Sequence, residues 1–154
     1  MKNNTTKNIR WGIIGLGKMA GKFATDLATV ANTEIYAVAS RSQEKAADFR
    51  QKFNAKKAYT SYIDLVKDTH IDAVFIATPN SFHKAHAISC LKNNKAVLCE
   101  KPFAMNLQEV TEMISVAKEN KVLLMEAMWT YFLPHYQYVL ETVKSLKFGN
   151  IKTL

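Results

Sequence analysis

The chain has 154 residues, 48% of them hydrophobic and 22% charged, which is ordinary for one soluble globular domain. The net charge is +8, but the lysines are scattered over turns and helix surfaces, so nucleic acid is not an expected partner. No apolar run approaches the roughly 18 residues of a membrane span, the polar residues 1–8 lack the apolar core of a signal peptide, and Cys90 and Cys99 have no disulfide or metal-ligand spacing. We therefore expect a cytoplasmic protein with no membrane partner and no metal site.

The first structural unit is predicted to be a strand over about residues 9–14 that turns directly into a helix over about residues 18–30. Gly15, Gly17 and Ala20 have the G-x-G-x-x-A spacing of a dinucleotide-binding turn, in which backbone approaches a pyrophosphate and the helix N-terminus faces it. The alternative is a glycine-rich turn without a ligand. The candidate cofactor-binding residues of this turn are Gly15, Leu16, Gly17, Lys18 and Met19.

The rest of the sequence alternates between apolar runs and amphipathic stretches of helical period. Strands are predicted at about 33–40, 57–59, 72–77, 96–99 and 122–125, and helices at about 42–53, 61–68, 81–93 and 136–146. A further helix is predicted to start at Asn106 and to include Ala117. Ser42, Ser61 and Asn106 are the expected helix N-caps. The helix faces that we expect to be buried contain Ala85, Ile88 and Leu91, and then Leu107, Val110, Ile114 and Ala117.

Repeated strand–helix–strand units of this length predict an α/β fold, a Rossmann-type doubly wound parallel sheet with the strand order 3-2-1-4-5-6. Ligands of such sheets bind at the carboxyl ends of the strands, near the switch point between strands one and four. The residues that directly follow each strand are therefore the candidate site.

Ser40, Arg41 and Ser42 follow the second strand, where an NAD site usually has an acidic residue for the ribose 2′-hydroxyl. A hydroxyl followed by a guanidinium suits a 2′-phosphate instead, because arginine offers a planar set of donors. We therefore expect NADP rather than NAD. The alternative is an exposed arginine beside a helix cap. A basic stretch continues from Arg41 to Lys57. Such a cluster is usually a solvated helix face, but this one also lies where an anionic cofactor would bind.

Thr78, Pro79 and Asn80 follow the fourth strand, and His83 falls in the first turn of the next helix. Asn80 is expected to cap that helix. A single histidine in this position is more often structural than catalytic. Glu100 and Lys101 follow the fifth strand, where a lysine faces the ligand crevice and could hold a substrate oxygen, or could simply be a surface lysine before a proline turn.

The chain's motifs together resemble one family, glucose–fructose oxidoreductase / inositol dehydrogenase / rhizopine catabolism (Gfo/Idh/MocA), and look most like its dimeric dihydrodiol dehydrogenase branch. The motifs that carry the resemblance are Gly15-x-Gly17-x-x-Ala20, Ala39-Ser40-Arg41, Thr78-Pro79-Asn80-x-x-His83, Glu100-Lys101-Pro102 and Glu126-Ala-Met-Trp129.

The resemblance implies an NAD(P)-dependent oxidoreductase that transfers hydride between nicotinamide and a sugar, polyol or cyclic diol. It implies that Lys101 contacts the reacting oxygen and that Asn80, His83 and Trp129 lie near the cofactor. Tyr131 departs from the branch, which commonly has arginine there.

The resemblance also implies a division of the chain. Residues 1–8 are expected to be a polar tail, 9–126 the dinucleotide-binding domain, and 127–154 a segment leading toward a second α/β domain that these residues do not include. An apolar face that the second domain covers in the family would be free to pair two copies in a homodimer. The alternative function is a stand-alone dinucleotide-binding module, or a subunit of a split enzyme, without turnover of its own.

Overall fold

Six strands of the computed structural model, which describes residues 8–150, form a single parallel sheet. The order across the sheet is β3-β2-β1-β4-β5-β6, and every neighbouring pair is parallel. The predicted Rossmann-type order is therefore confirmed. The strands are β1 (Ile9–Ile14), β2 (Thr33–Ala39), β3 (Lys57–Tyr59), β4 (Ala73–Ile76), β5 (Ala96–Cys99) and β6 (Leu124–Glu126).

The helices follow the strands as the sequence indicates, with small differences at their ends. The first helix ends three residues earlier than predicted, and short 3-10 turns, Asn80–Phe82 and Trp129–Phe132, precede the fourth and sixth helices. The helices are α1 (Lys18–Leu27), α2 (Gln43–Lys52), α3 (Tyr62–Lys67), α4 (His83–Lys92), α5 (Leu107–Asn120) and α6 (Pro134–Lys144).

The two faces of the sheet each bury one apolar cluster. Ile13 belongs to the cluster under α1 and α2, and its neighbour Ile14 to the cluster under α3, α4 and α5. Successive side chains of a strand point to opposite faces, so a strand covered on both faces must be apolar throughout, as β4 is. Burying a side chain of this size is worth about 1.5–3 kcal/mol, so each pair of strand residues anchors both layers.

Three of the predicted N-caps are confirmed. The Ser42 hydroxyl accepts from the Lys45 N–H at 3.3 Å, and the Asn106 side chain accepts from the Glu109 N–H at 3.0 Å. Ser61 accepts in the same way from the third residue of α3. Each bond satisfies one of the amides that a helix start leaves without an intrahelical acceptor.

The capping role expected of Asn80 is wrong, because no side-chain capping bond forms at this helix start. The chain first makes the 3-10 turn Asn80–Phe82, and the backbone carbonyl of Asn80 accepts from the N–H of His83. The turn itself therefore replaces a side-chain cap.

The predicted buried faces of α4 and α5 are partly wrong. Ala85 is exposed and Leu107 is 80% exposed, whereas Leu91 and Ala117 are buried as expected. Periodicity could not decide between two overlapping apolar faces of each helix, because Leu91 and Ala117 belong to both. The faces that pack on the sheet contain His83, Ala87, Cys90 and Leu91 in α4, and Met113, Val116 and Ala117 in α5.

The amino-terminal edge of the sheet is held by the buried carboxylate of Asp68, at the end of α3. Its Oδ2 accepts from Lys57 Nζ at 2.8 Å and from the Tyr59 hydroxyl at 2.7 Å, and its Oδ1 accepts from the His70 N–H at 2.9 Å. Burial alone would raise the pKa of Asp68, but these hydrogen bonds outweigh burial and hold that pKa well below its usual range. Lys95 is buried beside it and donates to the backbone carbonyls of Asp68 and Ile71.

This network shows that only part of the basic stretch lies where an anionic cofactor is expected to bind. Helix α2 runs from the carboxyl edge of the sheet to the amino edge, so its last basic residues lie far from the strand ends. Lys56 pairs with Glu34 near the start of β2, and Lys57 begins β3 and pairs with Asp68. Arg41 is the member of the stretch that directly follows a strand end.

We expect Asp68→Asn to lower the free energy of unfolding near neutral pH by about 1–3 kcal/mol, because Lys57, Tyr59 and His70 lose the charged acceptor that the buried carboxylate provides. The folded pKa lies below the unfolded value of about 3.9, so the stabilisation is present above that value and is lost as the pH falls through the folded pKa. Urea unfolding at neutral and acidic pH measures this difference. The control is Asp48→Asn on the exposed surface of α2, and an equal effect of both changes would contradict the network's role.

Candidate functional site

The carboxyl ends of the strands place the candidate segments along one edge of the sheet. Residues 15–19 follow β1, 40–42 follow β2, and 78–80 follow β4, while Glu100 and Lys101 follow β5. Trp129 lies three residues after β6. The parallel order β2-β1-β4-β5-β6 therefore brings all five segments to one side, with the switch point between β1 and β4 at their centre.

Gly15 has φ +83°, in the left-handed region that favours glycine. A Cβ at this position would lie 2.5 Å from the carbonyl carbon of Ala77 and 2.5 Å from the nitrogen of Thr78. The turn after β1 is thus pressed against the backbone that leaves β4, and the Ala77 N–H donates to the Ile14 carbonyl at 2.9 Å. Glycine is required here both by the dihedral angle and by the close approach.

Gly17 has the opposite environment, since a Cβ there would meet nothing within 4 Å. Its N–H donates back to Gly15, and the first helical bond runs from the Gly21 N–H to the Gly17 carbonyl. The N–H groups of residues 18–20 therefore precede the helical ladder, and neither a side-chain cap nor an acidic residue occupies the first turn of α1. Open space in front of free amides at a helix N-terminus suits a phosphate.

The side chain of Leu16 is buried in the core, so only its backbone belongs to the site's surface. Lys18 and Met19, by contrast, are exposed on the first turn of α1.

The turn after β2 is built by Ser40. Its side chain is buried, its hydroxyl accepts from the Ser42 N–H at 3.2 Å, and its own N–H donates to the Tyr59 carbonyl. Arg41 lies between Ser40 and Ser42, is exposed, and lines two neighbouring cavities. The serines therefore shape the turn, and the exposed guanidinium between them can reach a ligand.

His83 joins the loop after β4 to the loop after β5. It is fully buried, with its Nε2 2.8 Å from the Thr78 carbonyl oxygen and its Nδ1 2.9 Å from the Pro102 carbonyl oxygen. The ring thus presents no surface to a ligand. We interpret His83 as the residue that positions both loops, in place of the cofactor contact that the resemblance implies.

The segment after β5 carries one acidic residue, Glu100, and one basic residue, Lys101. Glu100 is half-buried and its N–H donates to the Ile76 carbonyl at 2.9 Å, while its side chain accepts from the Lys101 N–H at 3.2 Å. The Lys101 side chain is exposed. The backbone of the loop is therefore fixed to β4, and the lysine projects from a rigid support.

An apolar cavity of about 410 Å³ lies between α1 and the strands β4, β5 and β6. Met19 lines it from α1, Glu100 from the β5 loop, and Trp129, which is 62% exposed, from the turn after β6. Most of the other lining residues are aromatic or apolar, and the charged ones are Lys22, Asp26 and Glu100. Predominantly apolar walls suit a flat, weakly polar ring.

A smaller cavity of about 160 Å³ lies on the other side of the switch point, and the sequence analysis missed half of its six lining residues, namely Tyr62, Phe82 and His86. The His86 Nδ1 is 3.0 Å from the Thr78 hydroxyl, and its ring packs edge-on to Tyr62 and parallel to Phe82. Burial, and then the nearby His83 and Arg41, lower the pKa of His86. The available signal was the spacing of three residues from His83, which places both histidines on neighbouring positions of one helix.

Three other features of residues 8–150 bear on the chemistry. No group of three or more His, Cys, Asp or Glu side chains in this range could hold a metal ion. Cys90 and Cys99 are both free and buried, and burial raises the pKa of each thiol to about 12, so neither is a ready nucleophile. None of the helices in this range combines the length and apolar character that a membrane crossing needs.

Residues 9–128 match the family described as an oxidoreductase family with an NAD-binding Rossmann fold. The chain is 40% identical over 146 residues to trans-1,2-dihydrobenzene-1,2-diol dehydrogenase of Mus musculus, covering 94% of this chain and 44% of that one. It is 44% identical over 129 residues to scyllo-inositol 2-dehydrogenase (NADP(+)) of Bacillus subtilis, covering 84% and 39%.

Solved structures agree with the sequence relatives. Scyllo-inositol dehydrogenase of Lactobacillus casei, with bound NAD(H) and scyllo-inositol, has a TM-score of 0.85 at 26% identity, covering 93% of this chain and 43% of that one. A 3-ketoreductase variant of Actinomadura kijaniata, in complex with TDP-benzene and NADP, has a TM-score of 0.86 at 27% identity, covering 94% and 46%. The chain thus spans less than half the length of each of these proteins.

We expect Gly15→Ala and Gly17→Ala to differ sharply in stability, although both add one methyl group to the same turn. The first should lower the free energy of unfolding by more than about 2 kcal/mol, because the methyl group meets backbone and the dihedral angle is strained. The second should cost less than about 1 kcal/mol, since its methyl group enters open space at an N-cap. Thermal unfolding of both variants measures the difference, and similar losses would contradict the close contact with residues 77–78.

Proposed function

We propose that this chain, which belongs to the oxidoreductase family with an NAD-binding Rossmann fold (Gfo/Idh/MocA), forms the cofactor-binding part of an NAD(P)-dependent dehydrogenase. The observation that carries the proposal is the open N-terminus of α1 at the switch point of the sheet, beside the tight turn at Gly15. A dinucleotide fits there, because Gly17 leaves space in front of free amides and the first turn of α1 carries no acid to repel a phosphate.

The proposed substrate is a sugar, a polyol or a cyclic diol. Two relatives support this class by their names, one a diol dehydrogenase and the other an inositol dehydrogenase. The nicotinamide, when bound, supplies the C4 atom that gives or takes the hydride.

The preferred cofactor is proposed to be NADP, with NAD as the alternative. The turn after β2 is Ser40-Arg41-Ser42, so it contains an arginine and no acidic residue. A guanidinium can donate two parallel hydrogen bonds to a phosphate, whereas a ribose 2′-hydroxyl is usually held by a carboxylate. Both the NADP-dependent Bacillus relative and the NAD(H)-bound Lactobacillus structure are consistent with this family site.

The catalytic residue is proposed to be Lys101. It projects from a loop that Glu100 fixes to β4 and that His83 ties to the Thr78 backbone. An ammonium in this position can donate to the substrate oxygen and stabilise the negative charge that develops there as its proton leaves. The apolar cavity bounded by Met19 and Trp129 would cover one face of the reacting ring.

The other cofactor contacts are proposed on their placement at the same edge. They are Gly15, Leu16, Gly17, Lys18, Met19, Ser42, Thr78, Pro79, Asn80, Glu100 and Trp129.

We further propose that residues 9–126 are the dinucleotide-binding domain and that the following residues are a connecting segment. Helix α6 has an apolar side but no buried residue, which supports this division within the described range. The predicted tail 1–8, apart from Asn8, and residues 151–154 lie outside the described residues.

An alternative is that the 154 residues bind the dinucleotide without turnover of their own. It is favoured by the coverage of the relatives, of which this chain matches 44% or less in the two examples above. Hydride transfer needs a substrate held against the nicotinamide in a water-poor crevice, and Trp129 and Phe132 leave one side of the apolar cavity exposed.

We expect the chain to bind NADPH more tightly than NADH, and Arg41→Ala to reduce NADPH affinity by about tenfold to a hundredfold, the loss of a charge-assisted hydrogen-bond pair worth about 1.5–3 kcal/mol. Fluorescence titration with both cofactors measures this. Lys52→Ala, at the far end of α2, removes the same charge away from the turn and should change little. Equal binding of NADPH and NADH by the unchanged chain would remove the role given to Arg41.

We expect the purified chain to bind NADP but to reduce it slowly or not at all with scyllo-inositol as the test substrate, because one side of the crevice is open. Absorbance of NADPH at saturating NADP measures the rate. Robust turnover that Lys101→Ala abolishes, and that the exposed-lysine control Lys92→Ala preserves, would overturn this expectation and make these residues sufficient for catalysis.

A further inference from the structure

His86 and Arg41 face the same space at the carboxyl edge of the sheet. Both line the cavity of about 160 Å³ that Thr78 and Phe82 also enclose, and both line a neighbouring cavity of about 540 Å³ under α3 and α4. Arg41 comes from the turn after β2 and His86 from the second turn of α4. The two cavities therefore form one continuous surface with two basic side chains on it.

The His86 ring is held in place but retains one open position. Its Nδ1 faces the Thr78 hydroxyl at 3.0 Å, and Tyr62 and Phe82 pack on it at ring-centre distances of 5.0 Å and 5.8 Å. Within residues 8–150, its Nε2 makes no hydrogen bond to the protein. A ring fixed by three neighbours can therefore present Nε2 to a ligand at little entropic cost.

The charges around His86 oppose a second positive charge in the absence of ligand. Arg41 acts on it from the β2 turn and His83 from its own helix, while Tyr62 is the titratable group that faces it from α3. Burial and these charges lower the pKa of His86, so the ring is neutral near neutral pH. A phosphate bound to Arg41 would neutralise that guanidinium and add an anion beside the ring.

We propose that His86 is a second nucleotide-specificity residue that works with Arg41, taking up a proton when the 2′-phosphate of NADP binds and donating to that phosphate through Nε2. The proposal rests on the dinucleotide-binding function given above. The ligand group is a phosphate monoester, and the proton comes from solvent. NAD has no 2′-phosphate, so its binding leaves the ring neutral.

The physical consequence is a preference for NADP that depends on pH. If binding of the phosphate raises the proton affinity of His86, the ratio of NADP to NAD affinity must increase as the pH falls toward the ordinary range of histidine. Each unit by which the pKa rises contributes up to about tenfold in that ratio. A phosphate monoester itself titrates near about pH 6, but this contribution is the same in any variant that keeps the cofactor.

The test is isothermal titration calorimetry of the 154-residue chain with NADP⁺ and NAD⁺ between about pH 6 and pH 8.5, the range in which histidine titrates. We expect the ratio of affinities to rise by up to about tenfold from the alkaline to the acidic end. In His86→Gln the rise should disappear apart from the titration of the phosphate itself. His70→Gln, the same change at the opposite edge of the sheet, should retain the full rise.

Proton uptake by the unchanged chain gives a second measurement that does not depend on any variant folding. Titrations in two buffers of different ionisation enthalpy should show more proton uptake with NADP⁺ than with NAD⁺. Equal uptake, or a ratio whose pH dependence is identical in the chain and in His86→Gln, would overturn the proposal while leaving dinucleotide binding intact. Equal losses of NADP⁺ and NAD⁺ affinity in His86→Gln at every pH would show that the ring only packs against the adenine. Absence of binding by both cofactors would instead overturn the proposed function itself.

Discussion

The close approach of the Gly15 turn to the backbone at Ala77 and Thr78 is the contact on which the candidate site depends. It fixes the distance between β1 and the loop after β4, and so it sets where the N-terminus of α1 points. A larger residue would separate the two strand ends at the switch point, where a parallel sheet of this order opens its ligand crevice.

His83 extends the same constraint to the other half of the sheet. Its two ring nitrogens face carbonyl oxygens of two different loops, so the segment that carries Lys101 is positioned relative to Thr78 by a buried side chain. Rigid support of this kind is what a catalytic group needs, because small displacements of a reacting group are costly. The exposed side chain of Lys101 therefore extends from a backbone that both neighbouring loops hold in place.

The strand order could be predicted from the sequence, because the spacing of short apolar runs and the glycine turn leave one parallel topology, and that order brings the candidate segments to one edge of the sheet. The face that α5 buries could not, since Leu107 and Met113 belong to overlapping apolar stripes. The positions of the basic residues relative to the site could not be predicted either, for a different reason. Lys57 lies at the opposite edge and pairs with Asp68. It is far from Arg41 because α2, which connects the two residues, runs from the carboxyl edge of the sheet to the amino edge. His86 was missed because no single motif contains it.

The two edges of the sheet differ in character: the amino edge carries a closed hydrogen-bond network, and the carboxyl edge carries the candidate site. At the amino edge, Asp68 has donors for both carboxylate oxygens, so charge there is neutralised within the fold. At the carboxyl edge, the amides of α1, Arg41 and Lys101 are left facing open space. Unsatisfied donors gathered at one edge favour an anionic ligand. The affinity for that anion then depends on pH wherever a neighbouring group gains a proton on binding. Under the proposal for His86, which lines the same cavities as Arg41, the choice between NADP and NAD depends on pH.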